Sequence, residues 1–308
     1  MIYFLLTLWF STTITCLSNV VRDNPTAIVS PLNISDPGYI LAESDGGLGN
    51  RLRVLAAYMY IGKFKFDGAH LVFIWDVNQA CPGHYLEIFD PLRDVIFATN
   101  NSRYVLDKHA KIVYENSLAV FQWTMQMNNI PKRRYGLPTW WQVEYNMFSE
   151  FVPTQRVLEK VYDFTEKYNV CNISSMHIRL TDLNAIMPPR KKVSLNGFYS
   201  FVESQIDPVY LMTDDPGTQE HFLNKYSRDK IIVYDQVGKG LINKTDIPLI
   251  TLPIRYTTLE HTLIDVLIAA HAKKFHPSSF SSMSDLVQMF SRIGRDKYSW
   301  CSPKVFNR

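Results

Sequence analysis

Ser174-Ser175-Met176-His177-Ile178-Arg179-Leu180-Thr181-Asp182 is the stretch on which the reading of this chain turns. With Ile173 before it, apolar side chains alternate with others as far as Leu180, the period of a buried strand. Thr181 and Asp182 open a polar turn, so Arg179 falls at the strand's carboxyl end. Open α/β sheets bind ligands in the crevice beyond such ends. A guanidinium there offers fixed donors and a permanent charge, which suits a phosphate. Alone, such an arginine is more often the partner of a neighbouring carboxylate. Three further stretches point with it to an anion site.

The first is Gly38 to Ser44, a strand that runs into Asp45-Gly46-Gly47-Leu48-Gly49-Asn50-Arg51. Leu52, Leu55, Ala56, Met59 and Tyr60 then recur at helical spacing. Glycines let the backbone approach a ligand, and a helix N-terminus favours an anion. The turn is neither a dinucleotide fingerprint nor a P-loop. The second is Pro208 to Thr213, a strand ending at Asp214-Asp215-Pro216. The two carboxylates are adjacent rather than spaced, which favours pocket lining or helix capping over metal binding. The third begins with a helix over 257–272, whose apolar face carries Leu259, Leu263, Val266, Leu267 and Ala270. Asp265 interrupts that run, and a charge there needs a partner. Ser278, Ser279, Ser281 and Ser282 follow and can cap a helix from Asp285 to Ile293. Hydroxyls and free amides at a helix start also suit phosphate oxygens.

Other elements fill the intervals. Leu71–Trp75 and Ile231–Tyr234 read as buried strands, Val157–Tyr168 and Asn196–Ser204 as helices, and a further helix runs through Glu220 to Lys225. Trp123, Trp140 and Trp141 suit an acceptor groove, though ordinary core tryptophans are the simpler reading.

The chain has 308 residues, 46% of them hydrophobic, enough for a sizeable core and two domains of ordinary size. Net charge is +3 and the basic clusters Lys132-Arg133-Arg134 and Arg190-Lys191-Lys192 are short, which argues against a nucleic-acid partner. Residues 1–22 are apolar until Arg22 and read as a signal peptide or a signal-anchor that would tether the chain to a membrane. Residues 23–37, rich in Pro, Ser and Asn, read as a stem. Four glycosylation triplets begin at Asn33, Asn100, Asn172 and Asn243, and support a lumenal compartment. Asn172, beside the buried strand, is expected to be the least accessible. Outside the leader, Cys81, Cys171 and Cys301 allow at most one disulfide and leave one thiol.

Gly46-Gly-Leu-Gly-Asn50-Arg51 resembles the glycine-rich turn of the fucosyltransferase superfamily, which includes α-1,6-, α-1,2- and protein O-fucosyltransferases. His177-Ile-Arg179-Leu-Thr-Asp182 is similar to their H-x-R-R-T-D signature, and Tyr210 to Pro216 to the strand ending T-D-D-P. Leu263-Ile-Asp265 and Ser279-Phe-Ser-Ser282 resemble the helix and serine turn that close the donor pocket. The four motifs stand in the family's order over about residues 40 to 292. The resemblance implies an α/β fold of GT-B type, two Rossmann-like domains facing across a cleft. Residues 38–165 would be the acceptor-side domain and 166–308 the nucleotide-sugar domain.

It also implies an inverting transferase that takes GDP-fucose as donor substrate, uses no cofactor or metal, and acts on a glycan or glycoprotein in the Golgi or endoplasmic reticulum. Carried over by position, Arg179 would bind the β-phosphate and His177 line its pocket. Asp265 would hold the nucleotide, Ser281 or Ser282 would meet the pyrophosphate, and Gly47, Gly49 and Asn50 would reach in from the facing turn. Arg179 and Asp182 are the catalytic candidates, with Asp45 and Glu43 as other possible bases. The sequence departs from the pattern at Leu180, where the signature carries a second arginine, and at Leu183 and Met187, where the α-1,6 enzymes carry lysine and glutamate. That departure leaves two alternatives, a nucleotide-sugar or glycan binder without turnover and a GT-B transferase using another nucleotide sugar.

Overall fold

The computed structural model describes residues 39–44, 46–65, 70–78, 80–99, 112–114, 145–180, 193–235, 257–279, 281–298 and 301. The leader, the stem, the three tryptophans, both basic clusters, Asp45 and Asp182 lie outside these residues, as do the triplets at Asn33, Asn100 and Asn243.

Two parallel sheets organise the chain. The first contains β1 (Ile40–Glu43), β2 (Leu71–Ile74), β3 (Val95–Ala98) and β4 (Ile112–Tyr114), in the order β3-β2-β1-β4. The second contains β5 (Ser174–Ile178), β6 (Val209–Thr213), β7 (Ile231–Ile232) and β8 (Lys274–His276), in the order β7-β6-β5-β8. Each order reverses beside its first strand, β1 or β5, which makes those carboxyl ends the switch points where such sheets bind ligands. Helices α1 (Leu48–Lys65) and α2 (Gln155–Lys167) belong to the earlier part of the chain. Helices α3 (Asn196–Ser204), α4 (Pro216–Tyr226), α5 (Leu259–His271) and α6 (Ser282–Tyr298) belong to the later part.

Strand period explains the core. In β6, Val209 and Leu211 face one apolar cluster with Phe198, Phe201 and Phe222. Tyr210 and Met212 face the other, with the α5 and α6 side chains. In β5 the same alternation points Met176 and Ile178 toward the α3 side. The intervening Ser175 and His177 are polar, and both are buried. They are satisfied across the helix layer, Ser175 Oγ donating to the Ala269 carbonyl at 2.9 Å and His177 Nδ1 lying 2.8 Å from Ser284 Oγ.

One core joins the halves. Leu48, Leu52 and Leu55 of α1 share a cluster with Leu263 and Leu267 of α5 and Leu286 and Phe290 of α6. Arg53 of α1 pairs with Asp285 of α6. Helix α2 spans the 165/166 boundary drawn from sequence. Cys171 and Cys301 are disulfide-bonded with Cα atoms 5.4 Å apart, tying the end of the chain to the turn before β5. Among the described residues Cys81 is the remaining thiol, and it is buried.

Three expectations are corrected. Helix α6 begins at Ser282, not Asp285, because Ser284 faces inward to His177 and Gly49 lets the first turn lie against α1. Asp285 then stands in the first turn, where a carboxylate suits the helix dipole. Strand β7 stops at Ile232, since Tyr234 leaves the sheet to pack on His261. Asn172 is exposed rather than shielded, because it closes a 3₁₀ turn before the strand starts. No helix among the described residues is long and apolar enough to cross a membrane.

Candidate functional site

The cleft between the carboxyl ends of the two sheets holds about 660 Å³ of space, counting the solvent at its mouth. Gly47, Leu48 and Asn50 line it after β1, and Ala80 and Pro82 after β2. His177 and Arg179 enter from β5, and Met212, Thr213 and Asp214 from β6. Thr257, Leu259, Thr262 and Asp265 come from α5 and its approach, and Ser282 and Met283 from the start of α6.

The glycine turn is built by its sequence. Gly46 has φ +87°, a left-handed conformation that side-chained residues rarely adopt. Arg51 braces it, donating from Nε to the Gly46 carbonyl at 2.9 Å and from Nη1 to the Asp76 carbonyl at 2.6 Å. Its guanidinium lies 5.1 Å from the Trp75 ring centre and is 1% exposed. The sequence marks Arg51 only as part of the motif. A fully buried cation facing two carbonyls is a brace, not a ligand. Asn50 lines the cleft, and its Oδ1 is buried with no partner among the described residues.

On the facing side a chain of hydroxyls fixes the strand end. Ser284 Oγ accepts from the Ser278 amide at 3.0 Å while pairing with His177, and Ser278 Oγ accepts from the Arg179 amide at 3.4 Å. Ser284 escapes notice in the sequence, because a serine within a helix's first turn gives no signal of what it faces. Ser282 lines the cleft, whereas Ser281 is buried beside it with its hydroxyl unpaired and does not line it. Gly49 also does not line the cleft. A Cβ there would come within 3.0 Å of the Ser282 backbone, so this glycine serves helix packing rather than ligand approach. The adjacent aspartates divide the two roles foreseen for them. Asp214 lines the cleft, and Asp215 caps α4, accepting from the Thr218 amide at 2.7 Å and its hydroxyl at 2.6 Å.

Asp265 has the partner its position demanded, in fact two. Tyr210 donates its hydroxyl to Oδ1 at 2.5 Å, and His261 Nε2 lies 3.3 Å from Oδ2. Burial disfavours a charged His261, but the Asp265 carboxylate outweighs it and raises the imidazole above its usual range. Burial, reinforced by Asp265, holds the Tyr210 phenol protonated well above its usual range. Among the described residues, no group of three His, Cys, Asp or Glu side chains is placed to hold a metal.

No protein-family model and no curated protein matches the chain by sequence. Solved structures match it by fold. The fucosyltransferase NodZ from Bradyrhizobium superposes with TM-score 0.52 at 11% identity, over 82% of this chain and 93% of that one. NodZ α-1,6-fucosyltransferase co-crystallised with GDP gives 0.51 at 11%, over 82% and 92%. The same enzyme soaked with GDP-fucose gives the same values. The chain has a GT-B fold, and that fold is fucosyltransferase-like, as its four motifs implied.

Proposed function

We propose that the chain is an inverting glycosyltransferase that moves fucose from GDP-fucose to a hydroxyl of a glycan or glycoprotein. One observation carries the reading. Motifs scattered over more than two hundred residues meet in a single cleft at both switch points of a fucosyltransferase-like fold. The neighbours crystallised with GDP and GDP-fucose supply the donor class.

In this reading the sugar C1–O bond to GDP breaks as the acceptor oxygen attacks from the opposite face. The electron pair stays on the β-phosphate. Arg179 and the first turn of α6 at Ser282 face that charge as fixed donors, stabilising it without reorganisation. The acceptor proton passes to a carboxylate. Glu43 ends β1, and Asp45 and Asp182 are the other candidates. Side chains and amides that meet this charge support a reaction that needs no metal. The apolar leader and the triplets support a lumenal location. The Cys171–Cys301 bond supports it, since disulfides persist in oxidising compartments. Leu183 and Met187, in place of the lysine and glutamate of the α-1,6 enzymes, favour as second reading a binder without turnover.

A thermal-shift panel of GDP, UDP and CDP in excess EDTA tests the donor. GDP alone is expected to raise the melting temperature. A shift with UDP or CDP instead would move the chain to another donor class.

A further inference from the structure

Asp265 is the one carboxylate of α5 that reaches the cleft, and neither of its oxygens is left to itself. The phenol comes from β6 and the imidazole from one turn earlier on the same helix, at the i,i+4 spacing that brings side chains together. The two side chains of the imidazole pair are 10% and 7% exposed. Aromatic rings wall the group in. Tyr234 meets His261 edge-on at 5.4 Å, and Phe164 of α2 packs on Tyr210 and on Tyr234, each at 5.6 Å. Such a setting holds a side chain in one rotamer and strengthens its electrostatics.

We propose that Tyr210 and His261 are positioning residues that present the Asp265 carboxylate to a nucleoside diphosphate, with the charge on His261 setting how tightly that ligand is held. The proposal rests on the donor reading above and adds to it the two residues behind the contact. Tyr210 fixes one oxygen as a neutral donor. Protonated His261 fixes the other and offsets its charge, so that an anionic ligand enters a cleft with one negative charge fewer.

Other groups around the imidazole do not change the direction. Among the described residues, Asp235, next to Tyr234, adds negative charge near it. Glu260 is turned toward α2, where Lys160 and Arg156 pair with it. Burial works against the charged imidazole, but Asp265 and Asp235 outweigh it and raise its pKa above the ordinary value. As pH rises through its titration, the offset disappears and affinity for the diphosphate falls.

The test uses the full chain with its eight histidines labelled at Cε1. The His261 resonance, assigned by its loss in His261→Gln, is followed against pH without ligand. Its midpoint is expected above the free value and to drop in Asp265→Asn. Calorimetric titration of GDP then follows affinity from pH 6 to 9. Wild type should weaken by about threefold to tenfold as His261 loses its proton, the scale of one ordinary hydrogen bond's net contribution. His261→Gln should be weak and flat throughout. Tyr210→Phe, which keeps the shape of the ring, should be weaker at every pH and retain the step. An unmoved midpoint in Asp265→Asn, or identical GDP profiles in wild type and His261→Gln, overturns the proposal while leaving the donor reading intact. Wild type that binds no nucleotide at any pH overturns the donor reading and the proposal with it.

Discussion

Arg179 stands one residue beyond β5, partly exposed to the cleft, with its own amide held by the serine turn. Backbone and side chain therefore serve different ends, and truncating the side chain leaves the strand's hydrogen bonds in place. Arg179→Ala is expected to fold normally and to lower turnover about a hundred- to a thousandfold, the scale for losing one transition-state donor. Steady-state kinetics of the folded variant checks this, and turnover within tenfold of wild type would remove Arg179 from the reaction. His271 shows the opposite behaviour, a buried histidine that the site does not use. Burial lowers its pKa to about 4, only partly offset by the Nδ1 bond to the Leu267 carbonyl at 2.7 Å. The unfolded chain protonates this ring near pH 6.5, so acid favours unfolding across the window between 6.5 and about 4. Stability should fall over that window by roughly 3 kcal/mol from this residue. Denaturant melts at pH 7 and pH 5 should show the step in wild type and a smaller one in His271→Gln. Equal steps would assign the loss to other groups. What was legible at this scale were residues that break a pattern, Arg179 at a strand end and Asp265 in an apolar helix. Their partners were less so. His261 was within reach, because it lies four positions before Asp265, but Tyr210 reads as an ordinary strand residue until the fold brings β6 under α5.

At the scale of elements, the contact between α1 and α6 decides whether the two sides of the cleft keep their spacing. Gly49 sits in the first turn of α1 and meets the first turn of α6 at Ser282. A methyl group there would lie 2.9 Å from the Ser282 hydroxyl and 3.0 Å from its backbone carbon. Backbone cannot swing aside as a side chain can, so Gly49→Ala should destabilise the chain by about 1–3 kcal/mol, the cost of overpacking. It should also weaken GDP binding, since the turns on both sides of the cleft separate. Equilibrium unfolding measures the first effect, and an unchanged midpoint would show that the helices are not in firm contact. Strand and helix positions were largely readable, because period-two alternation and period-3.6 spacing are local properties. Asn196–Ser204 matches the expected helix residue for residue. The start of α6 was not readable. Four serines looked like caps, and only the packing on Gly49 and His177 shows that the fourth of them begins the helix and that another, Ser284, lies inside it.

For the whole molecule, two sheets of the same strand order oppose their switch points, and a shared core under α1, α5 and α6 joins them. That arrangement was implied by the order of four short motifs, not by any one of them. Strand pairing and the Cys171–Cys301 bond were beyond sequence, since three cysteines permit several pairings and each strand's neighbours are set by crossovers. We propose that this cleft turns over a GDP-sugar. The direct measurement is release of GDP from GDP-fucose by the full chain, presented with a mixture of glycoprotein acceptors in excess EDTA. Acceptor-dependent release is expected, with transfer of fucose to the glycan and a loss of about a hundred- to a thousandfold in Arg179→Ala. Tight binding of GDP-fucose with no release under any acceptor would contradict it, and would make the chain a binder.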